Sequence, residues 1–329
     1  MLLGNRKECL IHGPYRYNVF GLHVASDLLL PEFVSTLDVS VDPDVIIRLG
    51  KMPSCISGAI ETEDNYQGEG NEFLLRFQGV GAYYVINGNC IIVEPDEHSE
   101  EQFVRLFLLN MALSSLLLQR GAISMHGSAV VFDGYCVIFT GDAGVGKSTL
   151  AAAFRERGYS LLADDVTAII TDNDGGAWVQ PGLPHQKLRP DSAEAMGMDI
   201  TGYAPVFSRS YGDKFLVPVN TGFCLSPAPL GAIYELTVGE SRDVTISRLS
   251  ASDKLIVLMN NTWCRLVDRL GLKTDHFRIC INMAGRVTVS RLTRPGGVFS
   301  LEDQIRLLQD DLRKLSPPGC TDRREENLA

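Results

Sequence analysis

The sequence predicts an α/β P-loop nucleotide-binding core preceded by a smaller, mostly-β N-terminal domain. Three features predict it. A glycine-rich loop, Gly141-Asp142-Ala143-Gly144-Val145-Gly146-Lys147-Ser148-Thr149, is entered from an apolar strand and left through a helix. A second apolar strand, Tyr159 to Ala163, ends on the acidic pair Asp164-Asp165. Before residue 98 the chain is a series of short apolar runs with strand character. The 329 residues suit two domains. The elements divide them into a mostly-β domain over 1–98, a connecting buried helix over 99–120, the P-loop domain over 121–315 and a flexible polar tail over 316–329.

In chain order, Asn18 to Val24 and Asp44 to Leu49 are the first predicted strands. Glu72 to Phe77, Ala82 to Ile86 and Cys90 to Val93 form a denser series. Asn87-Gly88-Asn89 signals a hairpin, because Asn and Gly tolerate positive φ. The polar stretch Glu61 to Asn71 is predicted as an exposed loop. A buried helix follows around Phe103 to Gln119, entered from Ser99-Glu100-Glu101 and closed by Gly121. Its apolar run, Phe103 to Leu118, falls short of the roughly 20 residues that span a bilayer, and Arg105 and Asn110 interrupt it.

Ser128 to Phe132 and Tyr135 to Thr140 flank the compact turn Asp133-Gly134, and the second strand runs into the glycine-rich loop. A helix from Ser148 to Arg157, stopped by Gly158, leads to the strand that carries the acidic pair. This order of strand, loop, helix and strand is that of a nucleotide-binding α/β core. Further on, Asp191 is predicted to cap a short helix, Ile233 to Val238 to be a strand and Ala251 to Trp263 an amphipathic helix. Arg278 to Met283 and Val287 to Leu292 are predicted strands. The last helix runs from Ser300, a capping serine with Asp303 three residues on, to about Leu315.

Composition narrows the class. The chain is 45% hydrophobic and 21% charged, with a net charge of −10. That balance opposes general nucleic-acid binding, which needs clustered cations. The eight cysteines show neither Cys-x-x-Cys pairs nor zinc-ligand spacing and read as thiols of a reducing compartment. The N-terminus lacks a basic segment followed by an apolar one, so a cytoplasmic protein without membrane attachment is expected.

The glycine-rich loop carries the strongest chemical signal. Its glycines let backbone N–H groups turn inward toward phosphate oxygens, and the following helix starts at that point with its positive dipole end. Lys147 would reach the β- and γ-phosphates, and Ser148 would ligate Mg²⁺. Asp164 and Asp165, alternating across a strand, would point in different directions. One can hold the metal or its water while the other accepts a hydroxyl proton. His126 precedes Gly127 at the start of the hairpin that feeds the loop. By itself a single histidine is more often a hydrogen-bonded structural residue than a functional one. The segment Pro181 to Asp191 is open to two readings: a surface loop, or a device that sets Lys187 and Arg189 against phosphate. Lys214 carries a weaker signal of the same kind.

From His126 to Ala168 the chain resembles the catalytic domain of HPr kinase/phosphorylase and its relatives. The resemblance rests on the His-Gly dipeptide, the Gly-Asp-x-Gly-x-Gly-Lys-Ser loop and the Ala-Asp-Asp-Val run. It implies a kinase core akin to phosphoenolpyruvate carboxykinase that phosphorylates a serine on a protein, with ATP or GTP and Mg²⁺. It further implies Lys147 and Ser148 on triphosphate and metal, Asp164 as the base, Asp165 as its metal-side partner and His126 near the reacting phosphate. Two other stretches, Tyr17 to Phe33 and Pro181 to Gly197, look like the wider group of HPr-kinase-related proteins. That group includes kinases of the C-terminal serine of lasso-peptide precursors. Relatives often form rings, so a homo-oligomer is an expectation. Ala143 and Thr149 stand where the HPr enzymes carry Ser and Glu, and their second signature, Glu followed by Arg-Gly, is absent from the residues after Ala168. These departures point away from HPr itself toward another serine-bearing peptide or protein. The competing classes are a small-molecule kinase, for example of free serine, and a nucleotide-dependent switch.

Overall fold

A computed structural model describes residues 13–38, 40–61, 66–203, 205–206, 214–262 and 273–315. The predicted tail, Trp263 at the end of a predicted helix, Gly212, Asp213, His12, Cys9, Cys264 and Cys320 lie outside the described residues. The chain divides into two compact units, one within residues 1–124 that also takes 273–276, the other from Met125 onward.

The first unit is built on a nine-stranded sheet. Its strands are β1 (Tyr15–Val19), β2 (Leu22–Ser26), β3 (Val34–Ser35), β4 (Val45–Leu49), β5 (Ile60–Glu61), β6 (Tyr66–Glu69), β7 (Glu72–Phe77), β8 (Gly81–Ile86) and β9 (Cys90–Pro95). They lie in the order β3-β1-β2-β4-β9-β8-β7-β6-β5. Two sequence expectations change here. Asn18 to Val24 is not one strand. Phe20 and Gly21 take φ of 52° and 71°, which reverses the chain between β1 and β2 in a two-residue turn. Nor is Glu61 to Asn71 a loop throughout, because β6 pairs with β7 and places Gln67 inside, where its Oε1 accepts from the Ile56 N–H at 2.8 Å. Backbone pairing decides that segment over its polar composition.

Behind this sheet runs one helix, Glu101–Gln119, α-helical to Phe107, π-helical over Leu108–Ala112 and α-helical again from Leu113. At 19 residues it is, by length and composition, apolar enough to cross a membrane, contrary to the expectation that it falls short, yet 56% of that stretch is buried inside the protein. Leu108, Ala112 and Leu116 are fully buried, and the Tyr83 hydroxyl of β8 donates to the Val104 carbonyl at 2.8 Å.

The second unit contains β10 (Ile123–Phe132), β11 (Tyr135–Gly141), β12 (Ser160–Ala163), β13 (Val166–Thr171), β14 (Ala177–Val179), β15 (His185–Leu188), β16 (Pro205–Val206), β17 (Lys214–Pro218), β18 (Ala228–Gly239), β19 (Thr245–Arg248) and β20 (Thr288–Pro295). β11 lies antiparallel to β10 on one side and parallel to β18 on the other, and β18 is parallel to β20. β15, β17 and β16 form a separate three-stranded sheet. The helices Lys147–Glu156 and Leu301–Leu312 enclose a core of Phe139, Leu150, Phe154, Tyr234, Ile305 and Leu308.

Three further expectations are corrected. Arg278 to Met283 is not a strand but part of a helix, Lys273–Arg286. His276, Cys280, Met283 and Ala284 are its buried positions, and that spacing belongs to a helical face. Asp191 does not cap its helix. Pro190 opens it with φ already set, Arg189 is the N-cap, and Asp191 sits in the first turn. Ser300 is the N-cap of Leu301–Leu312, but its hydroxyl accepts from the Gln304 amide at 3.3 Å instead of capping the backbone. None of the described cysteines Cys55, Cys90, Cys136, Cys224 and Cys280 forms a disulfide.

Candidate active site

The glycine-rich loop leaves β11 at Gly141, whose φ of 128° and close approach to the next strand admit no side chain. A Cβ there would lie 2.5 Å from the Leu236 carbonyl oxygen. Gly144 and Gly146 also take positive φ, at 81° and 114°. The helix then starts at Lys147. Lys147 is buried and folds back over the loop, its Nζ donating to the carbonyls of Gly141 at 2.8 Å and Asp142 at 3.0 Å. Burial pushes its pKa down to about 8, with Asp165 opposing and Lys214 adding to the fall. The ammonium therefore uses donors on loop carbonyls that anionic oxygens would compete for.

The two carboxylates sit beyond the end of β12, in the connection to β13. Strand alternation is not what separates them. Val166 N donates to Asp164 O at 2.9 Å, and Asp165 takes φ of 70°, so the chain makes a γ-turn centred on Asp165. Asp164 turns inward and is buried. Ser128 Oγ donates to its Oδ1 at 2.5 Å and Lys187 N to its Oδ2 at 2.8 Å. Burial raises its pKa, and the bonds from Ser128 and the Lys187 N–H only partly offset that. Asp165 turns the other way, into a cleft of about 470 Å³. Its Oδ2 is paired with Lys187 Nζ, and His126 Nδ1 stands 3.7 Å from its Oδ1. Burial alone would raise the Asp165 pKa, but Lys187 and then His126 hold the carboxyl well below the usual range.

His126 is placed by β10, where the Thr140 hydroxyl donates to its carbonyl at 2.8 Å. Gly127 beside it leaves no room for a Cβ, which would meet the Phe139 carbonyl oxygen at 2.8 Å. Burial lowers the imidazole pKa to about 4 despite the neighbouring Asp165, so the ring is neutral at pH 7.

The cleft brings together His126, Lys147, Ser148, Thr149, Asp165, Lys187 and Arg189 with Gly144, Val145 and Gly146. Gly141, Asp142, Ala143 and Asp164 do not line it; the carbonyls of Gly141 and Asp142 hold Lys147, which does. The segment from Pro181 to Asp191 is not a plain surface loop. β15 carries Lys187 opposite Leu216 of β17. Thr149 Oγ1 donates to Ser192 Oγ at 2.9 Å, tying the glycine-rich loop's helix to the helix that follows Arg189.

Ser128, Lys214 and Arg294 are among the lining residues that escaped or nearly escaped the sequence. Ser128 lies two residues after His126 on β10, hence on the same face, and that spacing was its signal. Lys214 opens β17, and its charge bears on His126, Lys147 and Asp165. Arg294, near the end of β20, donates from Nε to the Val145 carbonyl at 3.3 Å. The Gly296-Gly297 pair after that strand was the cue to a shaped loop there.

No family model matches the chain. Among curated proteins it is 38% identical over 69 residues to an HPr kinase/phosphorylase of Streptococcus thermophilus, covering 21% of this chain and 22% of that one. It is 47% identical over 58 residues to the HPr kinase/phosphorylase of Lacticaseibacillus casei, covering 18% of each chain. To that of Clostridium botulinum it is 25% identical over 118 residues, covering 31% of this chain and 38% of the other. The match thus spans about a fifth to two fifths of these relatives' length. The solved Hpr(Ser) kinase/phosphatase of Coxiella burnetii aligns over 58% of this chain and 97% of its own, at 13% identity and a TM-score of 0.29.

Proposed function

For a chain related to the HPr kinase/phosphorylases, we propose an ATP-dependent kinase that phosphorylates a serine hydroxyl of a peptide or protein. One observation carries the proposal. A lysine and loop amides suited to phosphate share a cleft with an ionised carboxylate, Asp165, while a second carboxylate, Asp164, stands behind Ser148. Ser148 and Asp164 offer the hard oxygen donors that Mg²⁺ prefers. Bound there, Mg²⁺ would neutralise charge on the β- and γ-phosphates. Lys147 would exchange its loop carbonyls for phosphate oxygens and stabilise charge on the transferring group.

Asp165 faces the space an acceptor must enter. In this reading the seryl Oγ attacks the γ-phosphorus, the bond from that phosphorus to the β–γ bridging oxygen breaks, and the seryl proton passes to Asp165. This assigns the base to Asp165 and the metal side to Asp164, the reverse of the roles that the family resemblance implies. A carboxylate held at low pKa by Lys187 is a weak base. In a loose phosphoryl-transfer transition state, however, the acceptor's orientation matters more than basicity. Neutral His126, beside Asp165, would contribute hydrogen bonding and not a proton. The acceptor we favour is a serine at the C-terminus of a precursor peptide of the lasso type, with the cytoplasm as the site of reaction.

The test is transfer of labelled γ-phosphate to serine peptides by wild type and two variants. Asp165→Asn should cut transfer by about 10²-fold or more with nucleotide affinity nearly unchanged. Asp164→Asn should weaken nucleotide binding selectively when Mg²⁺ is present. Wild-type transfer rates in Asp165→Asn would remove Asp165 from the chemistry, and no labelled peptide with any serine acceptor would defeat the kinase reading.

A further inference from the structure

Val298 and Phe299 follow β20 in the connection to the last described helix and are 59% and 63% exposed, two large apolar side chains side by side in water. Scattered singly, such residues need no explanation; paired at the lip of a polar cleft they do. They line the same cleft as Gly144, Val145 and Gly146, although the opposite wall is charged. Their place is held from two directions. Arg294 donates from Nε to the Val145 carbonyl at 3.3 Å, tying this connection to the glycine-rich loop. Leu301, Ile305 and Leu308, just beyond, are packed into the core and anchor the other end.

Sheet order sets the direction. β11, which delivers the loop, has β10 with His126 and Ser128 on one flank and β18 followed by β20 on the other. β12, which delivers Asp164 and Asp165, pairs with β10. The carboxylates and the Val298-Phe299 ledge therefore occupy opposite sides of the glycine-rich loop. A triphosphate laid along that loop with its terminal phosphate toward Asp165 must leave by the β20 side. What emerges there is the nucleoside end.

We propose that Val298 and Phe299 form the seat of the nucleobase, with Phe299 stacking on its face. The proposal rests on the nucleotide reading above and adds the subsite that would distinguish a nucleotide from a bare polyphosphate. A base has apolar faces and polar edges, so an exposed aromatic ring beside polar groups is suited to it. Gln304 and the Ser300 hydroxyl, hydrogen-bonded to each other at 3.3 Å, line the same end of the cleft and supply polar atoms for an edge.

The test compares two probes that share the phosphates and differ in the base: ATP and inorganic tripolyphosphate, each with Mg²⁺, titrated into wild type, Phe299→Ala and Phe299→Trp. Phe299→Ala should weaken ATP about tenfold and leave tripolyphosphate within about twofold, and Phe299→Trp should restore ATP affinity. Because the side chain is exposed, its truncation removes little folding energy. Equal weakening of both probes would assign the residue to loop geometry. Unchanged ATP affinity with a raised KM for the acceptor peptide would assign the ledge to the acceptor. Either result overturns the subsite and leaves the kinase reading standing. Wild type that binds neither probe would overturn both.

Discussion

Lys147 and the turn at Asp165 show how single residues set the chemistry. Free of ligand, Lys147 loses charge as pH rises through about 8, because burial opposes the ammonium. Phosphate oxygens would favour the charged form, so the bound pKa must exceed the free one. Triphosphate affinity is then constant well below pH 8 and falls by up to about tenfold per pH unit above it, until the bound lysine itself titrates. Binding between the free and the bound pKa should take up a proton, measurable by calorimetry in two buffers of different ionisation enthalpy. Affinity that stays flat through this range, with no proton uptake, would show that the free lysine keeps its charge. Asp165 holds an L-residue at φ of 70°, a conformation that costs of order 1 kcal/mol or more. The turn sends adjacent carboxylates to different partners, Ser128 and the Lys187 N–H for one, the Lys187 ammonium and the cleft for the other. Two aspartates in a row announced an acidic pair in the sequence. Which of them faces the cleft depends on that φ, which no local pattern specifies.

At the scale of elements, hairpins with Asn, Asp and Gly turns were legible. Asn87-Gly88 and Asp133-Gly134 both take the positive φ that their side chains tolerate. Phe20-Gly21 makes the same kind of turn with a buried aromatic residue, and the apolar run across it masked the reversal. The stretch Arg278 to Met283 misled in the opposite sense. Its two isoleucines favour strand locally, but its buried residues recur at helical spacing over a longer window. The helix Glu101–Gln119 shows why apolarity alone does not identify a membrane span. Leu116 is fully buried within the first unit, and Leu116→Ala should cost about 2–5 kcal/mol, read as a lowered urea midpoint with an unchanged slope. A loss below about 1 kcal/mol would mean that this face is not packed in the folded protein.

The whole molecule is acidic, with a net charge of −10, yet Lys147, Lys187, Arg189, Lys214 and Arg294 all line one cleft. A local cationic field inside an acidic protein attracts a small polyanion while the remaining surface repels large ones. Raising ionic strength from about 0.05 M to 0.5 M should therefore weaken triphosphate binding severalfold, since the Debye length contracts to a few ångströms over that range. An affinity insensitive to salt would show that the cations are neutralised by their own partners before ligand arrives.

The sequence by itself determined the glycine-rich loop, its lysine and serine, the strand before it, the helix after it and the presence of an acidic pair. All of these are contiguous, and their geometry follows from backbone freedom at glycine and the periodicity of neighbouring residues. Only the tertiary structure decided that Lys187, Lys214 and Arg294, carried on β15, β17 and β20, meet at that loop. It also decided that Asp165 rather than Asp164 faces the cleft, and that Val298 and Phe299 lie on the flank away from the carboxylates. These outcomes depend on which strands pair across long stretches of chain, and pairing is settled by burial and hydrogen bonding between segments that the linear order keeps apart.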